Sequence, residues 1–314
     1  MDSCRGTIQD FELSVAITMN QETLSRRRFC QIAGSGLLLA PTLMRAQAQS
    51  SSKLTAREVV ARIRKNIGVP WRTPTADEFK IGDPDAPITG ITTTFMSTLG
   101  LLERSQSAGH NFVITHEPTF WSAADVVADL RDDPLYQYKV DFMERNKMVV
   151  WRFHDHWHAR RPDGIFAGWD KTMGWSNYAV PGVNPFSHEY AVPETSFQEL
   201  ARDMQAKLKT RSMRLVGDPK LRVTRAGHAG HYITQCMSVL PRVDVLLVFE
   251  SREWEAAEYV RDAIAAGQKK ALIQLPHEGG EEAGMDECAR WLRTFVSEVP
   301  IEFIPSGDPF WRPA

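Results

Sequence analysis

The chain has 314 residues, 43% of them hydrophobic and 24% charged, enough to bury a sizeable core in one large domain or two modest ones. A net charge of -2, with Lys and Arg scattered rather than striped, gives no basis for nucleic-acid binding. Nine histidines and four cysteines, without a CxxC pair, argue against a thiolate zinc site or a disulfide scaffold.

The first 48 residues stand apart. Ser25, Arg26, Arg27 and Phe29 precede a short apolar run from Ile32 to Ala40 and then an Ala46-Gln47-Ala48 site. This pattern predicts a twin-arginine export signal cleaved after Ala48, with translation starting at Met1 or Met19. The apolar run is too short to span a bilayer, so the expected mature protein is soluble, periplasmic or secreted, and free of the membrane. Cys4 and Cys30 leave with the leader, and Cys236 and Cys288 are expected either to pair or to be buried free thiols.

In the mature chain, strand-like and helix-like segments alternate, which predicts an α/β fold. Thr55 to Asn66 reads as an amphipathic helix, ITGITTTF as a strand, and STLGLLERSQSAG as a helix closed by Gly109. NFVIT is a strand, Pro134 to Lys147 a helix, and MVVWRF another strand. Past a Gly/Pro-rich connection at Val180 to Pro185, Ser196 to Leu208 is helical, LRVTRAG and VDVLLVFE are strands, and Glu255 to Gly267 is a helix. KALIQL is a strand and Glu281 to Val296 a helix. Two similar α/β halves with mixed sheets follow, 53–185 and 186–314.

Four of these strands end in side chains suited to metals or proton transfer. NFVIT runs into His116-Glu117, VVWRF into HDHWH, VLLVF into Glu250, and ALIQLP into HEGGE. Loops at the carboxyl ends of strands converge on one crevice, so residues remote in sequence can share one site there. In HDHWH, a strand would align His154, His156 and His158, whereas a helix aligns His154 and His158 and turns His156 away. His277 and Glu281 share a face if a helix starts within the Gly-Gly turn. His116, His158, His277 and Glu281 are therefore read together as ligands. His156, His188, His228 and His231, with Glu278 and Glu282, are read as ordinary polar residues.

These segments, together with LPHEGGEEAGM and PIEFIPSGDPF, resemble in order the NIF-three-like dinuclear metal centre family, over about Pro87 to Phe310. The resemblance implies an α/β fold, two neighbouring divalent ions in a cleft, and a ring-shaped hexamer. It places His116, Glu117, His154, His158, His277 and Glu281 at ligand positions, and Glu250 at the glutamate of the family's Thr-Gly-Glu segment, with Val248-Phe249 in place of the two residues before it. Glu117 stands in place of a histidine and His158 in place of a bridging aspartate. Since a neutral imidazole does not bridge two metals, one or two ions per chain are expected, with Asp155, Glu117 or Glu281 as substitute carboxylates. Imidazole with carboxylate suits zinc, iron or manganese.

The expected chemistry is metal-assisted hydrolysis of a small molecule, with Glu250 as proton acceptor. Arg152, Arg160, Arg161 and Arg225 are candidates to hold an anionic substrate. A metal-binding or metal-delivery protein, or a fold merely braced by metal, would use the same ligands.

Overall fold

The computed structural model describes residues 53–180, 188–311 and 313; the export signal read over 1–48 lies outside them. Residues 51–314 form one compact unit of mixed α/β structure built on two mixed sheets.

The first sheet has strands β1 (Phe79–Ile81), β2 (Ile91–Thr94), β3 (Phe112–Thr115), β4 (Val149–Arg152) and β11 (Ile301–Phe303), in the order β1-β4-β3-β2-β11. All pairs are parallel except β1 with β4. Strands β2, β3 and β4 are buried at every position, as expected of parallel strands covered on both faces. Helices α1 (Ala56–Asn66) and α9 (His277–Leu292) contribute to the core cluster that holds Ile91, Phe112 and Trp151; Leu101 and Leu102 of α2 (Leu99–Ser107) and Met143 of α3 (Pro134–Arg145) join a second cluster with Val113 and Val150. Local signals set the helix starts: Thr55 and Glu58 form a capping box on α1, and Asp133 caps α3 ahead of Pro134.

The second sheet has β5 (Ala179–Val180), β6 (Glu189–Ser196), β7 (Arg214–Val216), β8 (Arg222–His228), β9 (Val245–Phe249) and β10 (Ala271–Leu275), in the order β5-β6-β8-β9-β10-β7. Its centre, β8-β9-β10, is parallel, with antiparallel strands outside. The helices α5 (Gly164–Met173) and α6 (Phe197–Leu208) supply one of its core clusters, α7 (Ile233–Val239) and α8 (Glu258–Ala265) the other.

Several boundaries differ from the sequence expectation. A π turn at Glu253–Ala257 leads into α8, which starts at Glu258 instead of Glu255. The last long helix starts at His277, because Pro276 in an extended conformation is a natural entry and the Gly-Gly pair is absorbed into the first turn. Gly280 is required there, since a Cβ would meet the Phe249 ring at 2.3 Å. Beyond α9, β11 crosses back to pair with β2 of the first sheet.

Helices α5 and α9 cross at backbone contact. A Cβ on Gly168 would lie 2.2 Å from the Ala283 carbonyl oxygen, and one on Gly284 would lie 2.4 Å from Ile165 Cα. Because α9 leaves β10 of the second sheet and packs on the first, with Thr93 Oγ1 donating to the Met285 carbonyl, it ties the two sheets together. Cys236 and Cys288 are buried free thiols in separate core clusters, and burial pushes the Cys236 thiol up to about 11. Among the described residues no helix is long and apolar enough to cross a membrane.

Candidate metal centre

Strand register assembles the site. Thr115 of β3 pairs with Arg152 of β4, so the residues that follow, His116 and Phe153-His154, emerge side by side. Phe249 pairs with Leu275, which sets Glu250 beside Pro276 and His277. After His154 the chain turns into the short helix α4 (Asp155–Ala159), so His154 and His158 share a face and His156 points away. Asp77 organises that turn: its carboxylate accepts from the backbone N–H groups of His154, Asp155 and His156 at 2.6–2.9 Å.

Three overlapping groups of ligand atoms result, each within 4.8 Å internally: His116, His154 and His158; His116, Glu117 and Glu281; and His231, His277 and Glu281. Glu281 Oε2 lies 3.2 Å from His116 Nε2 and 3.1 Å from His277 Nε2. Glu117 Oε1 lies 3.7 Å from His154 Nε2 and 3.9 Å from His277 Nε2. Ligand atoms of one tetrahedral zinc shell stand roughly 3.3 Å apart at usual bond lengths. Both carboxylates therefore lie between two sets of imidazoles.

The ring nitrogens facing outward are all engaged. His116 Nδ1 contacts the Phe153 carbonyl at 3.0 Å and His231 Nδ1 the Phe249 carbonyl at 2.6 Å. His154, His158 and His277 place Nδ1 on Asp155, Asp163 and Glu250 at 2.9, 3.0 and 2.9 Å. An imidazole held this way presents a more basic Nε2 in a fixed direction, the usual support of a metal ligand. The inward atoms tell the complementary story: His116 Nε2, His277 Nε2 and Glu281 Oε2 are buried and converge on one another at 3.1–3.2 Å as ion-pair partners. Buried imidazole nitrogens and a carboxylate oxygen converging on one point make the atom set a divalent cation would take, and such a cation fits this imidazole and carboxylate set.

Charge distribution agrees. Burial lowers the His116 ring below its ordinary value. Burial acts the same way on His277 and His158, but carboxylates outweigh it: Glu281 and Glu250 hold His277 well above the usual range, and Asp163 holds His158 at about 9. Glu281 is driven low by His277 and His116 despite its burial. A cation held here would displace protons from the imidazoles.

The residues expected from sequence, His116, Glu117, His154, His158, His277 and Glu281, are brought together by the fold. Glu250 sits on the outer side of His277, its side chain 74% exposed, and the hydrogen bond from that ring lowers its pKa. Asp155 is likewise an outer partner of His154, tied also to Thr75 Oγ1 and Ala76 N. His231, read from sequence as an ordinary polar residue, is carried by the turn after β8 into the cluster. The missed signal was the same strand-end rule that marked the others. His156 is buried against Asp77, accepts from Arg72 N at 2.9 Å, and stacks on Trp71. His188 stacks on Phe166, and His228 is buried among Phe166, Trp169 and Phe249.

The arginines proposed as anion holders have other work. Arg152 is buried and donates to the His116 and Ala123 carbonyls and to Glu117, so it orients a ligand. Arg160 lies over Trp157 and Trp291, Arg161 caps the carbonyls of residues 158–160, and Arg225 lies 3.7 Å from Glu189.

The model of the Duf34/NIF3 (NGG1p interacting factor 3) family matches residues 79–309. Among curated proteins none matches. The fold is similar to that of protein SA1388 from Staphylococcus aureus, at 17% identity and a TM-score of 0.64, over 82% of this chain and 99% of that one. A Bacillus cereus protein related to NIF3 is similar at 14% identity and a TM-score of 0.64, over 83% and 99% of the two chains. Protein ybgI, described as of unknown function, is similar at 18% identity and a TM-score of 0.63, over 82% and 100%. These likenesses concern the fold, and the match across 79–309 shows that the chain belongs to the Duf34/NIF3 family.

Proposed function

We propose that the chain is a metal-dependent hydrolase holding one or two divalent ions, zinc, iron or manganese, between the ends of its two sheets. The observation that carries this is the pair of three-residue groups, His116/His154/His158 and His231/His277/Glu281, linked by carboxylates, with the buried Nε2 atoms of His116 and His277 converging on Glu281 Oε2. A bound divalent ion supplies Lewis acidity toward water and toward a carbonyl or phosphoryl oxygen of a substrate.

The protein's own contribution is placement. Arg152 holds Glu117, Asp163 holds His158, and Glu250 holds His277, so little reorganisation is left for the reacting state. Phe95 lies edge-on against His277 at 5.0 Å and restricts water on that side. Access is from the other side, where His154 and His158 keep 31% and 27% of their side-chain surface exposed. An open edge favours hydrolysis over a closed site that merely braces the fold.

Metal analysis of the purified protein followed by a panel of p-nitrophenyl esters and phosphates tests this. Metal-dependent turnover that His277→Ala abolishes is the expected result. Tight metal binding with no turnover across the panel would replace it by a metal-binding or metal-delivery role. Action outside the cytoplasm, following from the paired arginines, and assembly as a hexamer, following from the family resemblance, belong to the same proposal.

A further inference from the structure

Beside Glu250, whose carboxylate contacts His277 Nδ1, lies a cavity of about 370 Å³ lined by Ser212, Arg214, Glu250, Gln274, Leu275, Pro276 and Phe310. That is the size of pockets that take small organic molecules. Its parts come from four separate segments: the end of β9, the end of β10, the Ser212–Arg214 edge, and the segment carrying Phe310.

The tail does not reach the cavity by accident of a loose end. Glu282 Oε1 accepts from Ser306 N, Ser306 Oγ and Gly307 N. Asp308 accepts from Arg211 N at 2.9 Å and from Ser212 Oγ, and its Oδ1 accepts from Phe310 N. Two carboxylates thus staple the tail across the mouth and hold Phe310 there, although that ring is 58% exposed. A large apolar ring fixed at a cavity edge yet left half in water has apolar surface available to a ligand.

The polar groups of the cavity have opposite signs. Glu250 uses Oε2 on His277 Nδ1, at 2.9 Å, and its side chain is otherwise open. It also adopts a left-handed backbone conformation, φ 44°, which is unfavourable for glutamate and is held by its place between β9 and His277. Arg214 is paired with Glu253 at 2.7 Å, but both side chains are more than half exposed. Such a surface pair is weak and yields to a better carboxylate. A carboxylate, a guanidinium and an apolar wall of Leu275, Pro276 and Phe310 share one pocket.

We propose that this cavity binds a small zwitterion with an apolar side chain, such as a free amino acid, its ammonium group on Glu250, its carboxylate on Arg214 and its side chain against Phe310. Because Glu250 is the lining residue that also holds His277, the occupant meets the candidate metal centre through that contact. The proposal stands whether or not the protein hydrolyses anything, since it concerns a different face of His277.

Calorimetric titration of the full mature chain, metal-loaded as purified, with L-phenylalanine, L-phenylalaninamide, N-acetyl-L-phenylalanine and glycine tests it. L-phenylalanine is expected to bind about tenfold or more tightly than each of the other three, which lack the carboxylate, the ammonium or the ring. Phe310→Ala should bring L-phenylalanine close to glycine, and Arg214→Gln should bring it close to L-phenylalaninamide, both with metal content unchanged. Absence of L-phenylalanine binding at millimolar concentration, or unchanged binding in both variants, would overturn the proposal.

Discussion

His158 and His156 are two residues apart and have opposite fates, because α4 sends one inward and the other to Asp77. His158 has its Nδ1 on Asp163 and joins the group with His116 and His154, while both nitrogens of His156 are engaged by Asp77 and Arg72. Replacing His158 by Ala should therefore lower metal content with little loss of stability, and His158→Asp should recover part of it. His156→Ala should do the reverse, costing about 2–4 kcal/mol through a broken buried polar pair while metal stays bound. Metal analysis beside thermal melts of these variants decides it; a His158→Ala protein that keeps its metal and only melts lower would remove His158 from the centre. For His231 the expectation is a loss of metal affinity on substitution by Ala, read by chelator competition. Equal affinity in that variant would return His231 to the ordinary surface polar residues.

At the scale of elements, ligand geometry depends on how α9 lies against its neighbours. Its first turn carries His277 and Glu281, and its position is set by the glycine contacts with α5 and by Gly280 under Phe249. Gly168→Ala would drive a methyl group into the Ala283–Gly284 backbone, which cannot rotate away as a side chain can. The expected cost is about 1–3 kcal/mol or more, with weakened metal binding because α9 must shift. Urea denaturation and metal titration on the same variant measure both; a stable variant with unaltered metal affinity would mean that the crossing does not position the ligands. The helices and buried strands of both sheets were legible from periodicity, and the structure adds Thr55, Ser196 and Asp133 as the caps that start three of the helices. The short helix α4 was open between two alternatives, since five residues carry too little pattern to separate strand from helix, and Asp77, more than seventy residues away, decides between them.

For the molecule as a whole, one buried cation links stability to pH away from the metal ligands. Lys139 is buried and donates to the Thr119 carbonyl, and burial brings its pKa down to about 8 despite Asp125 nearby. The unfolded chain keeps this proton up to about 10.4, so between these values it binds more protons than the folded protein, and stability rises with pH across that window. Urea midpoints at pH 8 and pH 10 should show a rise that Lys139→Met flattens, on the order of 1–3 kcal/mol; parallel curves for the two proteins would exclude the link. Export is checked by changing Arg26 and Arg27 to Lys and fractionating cells, and export that continues unchanged would count against the twin-arginine signal. Sequence alone determined the α/β alternation and the strand ends that carry His116, Glu117, His154, His277 and Glu281, because the burial period is a local property written in consecutive residues. Only tertiary structure decided that His231 lies in the same cluster, that Glu250, Asp155 and Arg152 contact His277, His154 and Glu117 from outside it, and that β11 returns to the first sheet. Those outcomes depend on which strands lie side by side and in what register, a matter of contacts between distant segments that local spacing does not encode.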